Sequence, residues 1–166
     1  MTGNNTMKLI EVENIREFTS RLFVGEFFDN FLAVETTIYT ATAFTIDGHI
    51  NKEFVGEEGM QLPEYAEGIV MWKKIKPICY DIIKGKRVPQ KFKMIFKMPS
   101  YIVDAFLKRA QLNIDLENVA GLYLNVNYQD GKMSCTTGAS LKTFSLDKSL
   151  EQQWDEYMAA VIRKIS

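Results

Sequence analysis

The sequence predicts an α+β fold: an antiparallel sheet built from hairpins, with helices packed on one face. Three observations predict it. Two Asp-Gly dipeptides, Asp47-Gly48 and Asp130-Gly131, sit beside β-rich runs. Residues 91–98 alternate between apolar and mostly cationic side chains, and four other stretches carry apolar residues at helical spacing.

Taken in order, folded structure is expected to begin at Met7-Lys8-Leu9-Ile10, after a polar tail over residues 1–6. Asn14 followed by Glu17 has the spacing of a helix-capping box, and Ile15, Phe18 and Leu22 continue it at helical spacing to a stop at Gly25. Residues 31–39 are rich in Thr, Val and Ile, which suits a strand. Asp-Gly favours type I′ turns, so residues 43–54 read as a hairpin around Asp47-Gly48. The acidic stretch 53–67, with Gly56, Gly59 and Pro63, reads as a surface loop.

Ile69, Trp72, Ile75, Cys79 and Ile82 form one helical stripe, in which Pro77 forces a kink or a fresh start. Phe92, Met94, Phe96 and Met98 then share one strand face, opposite Lys91, Lys93, Ile95 and Lys97. Pro99-Ser100 opens a helix with Val103, Phe106, Leu107 and Ala110 inward. Residues 122–128 and 133–139 flank the second Asp-Gly turn. A closing helix from about Asp147 or Ser149 carries Leu150, Trp154, Tyr157, Met158, Val161, Ile162 and Ile165. This order, strand–helix–hairpin, helix, strand–helix–hairpin, helix, is what a duplicated unit would give, although the residues of the halves do not match.

The chain has 166 residues, 46% of them hydrophobic and 25% charged, which fits a single domain over 7–166. No apolar run reaches the ~18 residues of a membrane span, and the polar N-terminus lacks the pattern of a secretory signal. Cys79 and Cys135 are far apart and read as buried thiols of a reducing compartment, so the expected location is cytoplasmic.

No catalytic, metal or cofactor site is legible. His49 is the only histidine, follows a turn, and lacks a recognisable nucleophile or metal-ligand set. The aspartates before Gly48 and Gly131 are explained by turn geometry. Glu53, Glu57, Glu58, Glu64 and Glu67 lack the spacing of a calcium loop. The Ser- and Thr-rich stretch 134–143 lacks a phosphate-loop pattern and falls on a strand.

Charge asymmetry is more informative. Residues 73–97 hold nine Lys and Arg and one acid, a local +8 in a chain of net charge −1. The expected anion or nucleic-acid surface runs from Lys84, Lys86 and Arg87 along Lys91, Lys93 and Lys97. If that strand joins the second hairpin, Tyr123, Asn125 and Asn127 lie beside it, with Ser134 and Thr136 beyond. Lysines on a solvated sheet face also need no ligand to explain them, since they oppose edge-to-edge aggregation.

Three stretches, FTIDGHINKEF (residues 44–54), ICYDIIKGKRVPQKFKMIF (78–96) and CTTGASLKTFSLDKSLEQQWD (135–155), carry a resemblance. They resemble a small bacterial family described only as a domain of unknown function, found chiefly among anaerobic Gram-positive bacteria. The likeness runs from Met7 onward. It implies an intracellular bacterial protein and brings no activity or catalytic residue.

The leading expectation is therefore a non-enzymatic binding or interaction module, its partner another protein or a second copy. The alternative is nucleic acid or another polyanion bound by residues 84–97. A third reading is an enzyme with an atypical site of Tyr, Asn, Thr and Lys side chains.

Overall fold

Six strands form one antiparallel sheet in the order β1-β6-β5-β4-β2-β3. They are β1 (Leu9–Glu11), β2 (Leu32–Tyr39), β3 (Ala43–Asp47), β4 (Lys91–Lys97), β5 (Val119–Gln129) and β6 (Lys132–Leu141). Five α-helices of the described residues join them: α1 (Ile15–Phe23), α2 (Lys52–Met60), α3 (Trp72–Ile83), α4 (Ser100–Arg109) and α5 (Ser149–Ile165). The computed structural model describes residues 8–85 and 87–166; the expected tail over 1–6 lies outside them. The α+β class is as the sequence predicts.

The pattern of β4 decides which side of the sheet is covered. Phe92, Met94 and Phe96 are buried and pair with Tyr128, Val126 and Leu124 of β5. On the other flank they meet Ile38, Thr36 and Ala33 of β2. One core gathers these residues with Phe18 and Leu22 of α1, Trp72 and Cys79 of α3, Phe106 of α4, and Leu150 and Trp154 of α5. These four helices thus pack on one face.

Local chemistry sets the helix ends. Asn14 Oδ1 accepts from Glu17 N at 3.0 Å, but Glu17 pairs with Arg21 at 3.3 Å instead of closing the box. α3 continues through Pro77, which lies on the exposed side together with Lys73, whose carbonyl it cannot bond. α4 has no side-chain cap of its own; the Glu67 carboxylate supplies one, accepting from Ser100 N at 2.6 Å and Ser100 Oγ at 2.7 Å.

Two expectations need correction. Asp130 and Gly131 do turn the β5–β6 hairpin, at φ 51° and 80°. Asp47-Gly48 turns nothing: β2 and β3 are joined through Thr40–Thr42, and Gly48 lies past the end of β3. Glycine is required there by contact. Gly48 N donates to the Val34 carbonyl and its own carbonyl accepts from Val70 N, while an added Cβ would meet the Ala33 oxygen at 1.7 Å. Residues 53–67 are likewise no plain loop. Asn51 Oδ1 caps α2 by accepting from Glu53 N and Phe54 N, and Gly56 at φ 72° interrupts that helix, which buries no residue.

The chain order repeats strand–helix–hairpin, with α2 added. The pairing does not repeat: β4 lies beside β5, whereas β1 crosses to the far edge beside β6.

One polar cluster lies inside. The Thr137 hydroxyl donates to Asp155 Oδ1, and Glu151, one turn earlier, is also buried with Oε2 unpartnered. Burial pushes the Asp155 carboxyl above its ordinary range, against the bond from Thr137 and the charge of Lys8.

Gly48→Ala should cost at least about 2 kcal/mol in urea unfolding, because backbone must move. Asp155 holds its proton more tightly folded than unfolded. Its contribution to stability is therefore greatest below the unfolded value of about 3.9 and falls as pH rises through the higher folded value. Asp155→Asn should flatten that fall, measured by urea unfolding between about pH 4 and 7; an unchanged profile would count against it.

Candidate nucleic-acid interface on the open sheet face

The face of the sheet away from the helices has no covering layer among the described residues. Register assembles it row by row. One row runs Thr45, Thr37, Lys93, Asn127, Ser134 and Glu11; the next runs Asp47, Glu35, Ile95, Asn125, Thr136 and Leu9. Lys91 lies between Tyr39 and Gln129, and Lys97 lies beside Tyr123. Side chains of β4 and β5 point outward at every second residue, which puts the three lysines in line along the middle of the sheet.

Lys93 is exposed, Lys91 and Lys97 are half-buried, and none of the three is in an ion pair among the described residues. Lys91 Nζ stands 5.6 Å from the Tyr39 ring centroid. Tyr123 lies against the sheet over Gly121, where an added Cβ would come within 2.6 Å of the ring. Asn125 donates to Thr136 Oγ1 at 3.2 Å and keeps an enclosed, unpaired Oδ1. Acids stand to the sides of the lysine line: Glu35 on β2, Asp47 on β3 and Glu11 on β1.

The register therefore unites Lys91, Lys93, Lys97, Tyr123, Asn125 and Asn127. It does not add the basic tip. Lys84, at the end of α3, pairs with Asp81 at 2.9 Å, and Arg87 lines a cleft with Phe44 and Ile78 on the helix side. Lys86 lies outside the described residues. Two further cations of the basic segment are also engaged. Lys76 bonds Asp29 Oδ1 at 2.5 Å and the Gly25 carbonyl at 2.8 Å, and Lys74 pairs with Glu64 at 2.9 Å. The local +8 is thus divided between the two sides of the sheet. Sequence reasoning missed Tyr39, Thr37 and Thr45, because the Asp47-Gly48 reading put β3 on the wrong turn and left β2 without neighbours.

The remaining chemistry-bearing residues are accounted for by structure. His49 Nδ1 lies 2.6 Å from Asp47 Oδ1, both groups exposed, and the His49 backbone N–H holds the Asp47 carboxyl below its usual range, helped by the ring. Burial pushes both the Cys79 and Cys135 thiols up to about 12, which keeps them protonated and inert as nucleophiles.

The model of a family of unknown function, DUF5721, matches residues 21–166. No curated protein and no solved structure matches the chain. No helix of the described residues is long and apolar enough to cross a membrane.

The two sides of β4 should respond differently to substitution. Lys93→Glu should leave the unfolding free energy within about 0.5 kcal/mol, while Met94→Ala should cost about 3 kcal/mol. Urea denaturation of both variants checks this, and equal losses would contradict the assignment of faces.

Proposed function

We propose that this chain, a member of the DUF5721 family of unknown function, is a non-enzymatic intracellular binding module whose open sheet face takes single-stranded nucleic acid. The observation that carries the reading is the line of three lysines on β4 that pair with no acid among the described residues. It has Tyr39 and Tyr123 at its ends and the Asn127 amide alongside, with Asn125 bonded to Thr136. Six residue steps of strand, about 20 Å, separate Lys91 from Lys97. Phosphates are held by cations, bases stack on aromatic rings, and amides bond base edges, so such a face joins all three requirements. The acids at Glu35 and Asp47 disfavour a path across β2 and β3 and leave β4, β5 and β6 as the track.

A protein partner or a second copy is the other reading. In its favour, β3 is an edge strand of five residues without the Lys or Pro that commonly guards such an edge, and Phe44 on it is 41% exposed. Strand addition at β3 would leave the lysine line free.

Fluorescence anisotropy with a labelled oligo-dT at two salt concentrations tests the leading reading. Three phosphate contacts predict a slope of about −2 in log affinity against log salt. Lys93→Glu should abolish most of the low-salt signal, and duplex of the same length should bind less well. A flat signal at low salt removes the proposal.

A further inference from the structure

A second site lies on the opposite side of the sheet, among the helices. Between α4, α5 and the turn around Phe27 a cleft of about 380 Å³ opens. Met98, Phe106, Trp154 and Met158 form its buried floor. Phe27 and Tyr101 stand at its rim, 40% and 61% exposed. The indole N–H of Trp154 already donates to the Tyr123 carbonyl at 3.0 Å, so it offers nothing to a ligand. Whatever enters this floor must be hydrocarbon, because a polar group buried there would go unpaired.

The mouth is different. Arg109, the last residue of α4, lines the cleft with its guanidinium 5.3 Å from the Tyr157 ring centroid. It is exposed and makes no ion pair among the described residues. Its neighbour Lys108 is held by Asp104 at 2.9 Å, and Glu156 shares an adjoining shelf with Arg109 without pairing to it. The cation–π contact with Tyr157 keeps the guanidinium beside the opening, and its planar fork matches a carboxylate bidentately.

We propose that this cleft binds a small amphiphilic carboxylate, a medium-length alkyl or single-ring aromatic acid. Its apolar body lies on the Met, Phe and Trp floor and its carboxylate on Arg109. The volume falls near the lower end of the ~300–1,000 Å³ range of ligand sites, which suits such an acid and excludes a full lipid. Two methionines in the floor let it conform to chains of differing shape. This site is separate from the lysine face, and neither requires the other.

Octanoate and octanol serve as probes, with Trp154 fluorescence and isothermal titration as readouts. Octanoate should bind saturably at one site and shift the tryptophan emission, and octanol should bind about tenfold more weakly. Arg109→Gln should weaken octanoate about tenfold while changing octanol less than twofold. Ala105→Trp, at an exposed position lining the cleft, should abolish both without loss of the cooperative unfolding transition. Absence of saturable octanoate binding overturns the proposal, as does binding that survives Ala105→Trp. Equal affinities that ignore Arg109→Gln overturn the carboxylate assignment.

Discussion

Everything in this molecule is arranged around the two-residue period of β4. Met94 and Phe96 are fully buried, at the centre of a sheet with partners on both flanks. Because successive side chains point to opposite faces, seating Phe92, Met94 and Phe96 in the core obliges Lys91, Lys93 and Lys97 to face out. A slip of one residue would drive three ammonium groups into a space filled by Trp72, Phe28 and Leu124. Unpaired charge in such a place costs far more than the strand pairing returns. The same pattern dictates that the core-forming helices lie on one side only, and the bare side is its consequence.

The structure also shows why charge counted along a chain differs from charge gathered in space. The segment 73–97 crosses from a helix over the core to a strand under it, so its cations end on opposite sides of the sheet. On the helix side, acids of distant segments meet two of them, Lys74 and Lys76. The Lys76–Asp29 pair is the most enclosed, its side chains only 14% and 19% exposed, and with the Gly25 carbonyl it ties the 25–29 turn to α3. Removing one member would strand the other in low dielectric, so that pair acts as a structural fastening. On the strand side no described acid pairs with the lysines, and the face is left open.

Legibility followed the length scale of the physics. The β5–β6 register could be read from the sequence because a two-residue Asp-Gly turn with positive φ fixes it. The pairing of Cys135 with Val126 and of Asn125 with Thr136 follows by counting. The same dipeptide at Asp47-Gly48 misled, since glycine also serves where backbones approach closely, and only the fold shows that Ala33 and Val70 converge there. α2 escaped notice because it buries nothing and so has no apolar period. Glu67 capping α4 from thirty-three residues away has no local signature at all. The cleft beneath Arg109 draws on α4, α5 and a turn near Phe27, a union that no window of sequence contains.

The most direct test of the two-sided sheet and of its bare face is lysine acylation read by mass spectrometry, with and without oligo-dT. The account predicts rapid modification of Lys93, slow modification of Lys76 behind Asp29, and selective protection of Lys91, Lys93 and Lys97 by the oligonucleotide. Acylation of Lys76 as fast as Lys93, or nucleic-acid protection that falls on Lys132 and Lys164 and spares β4, would contradict it.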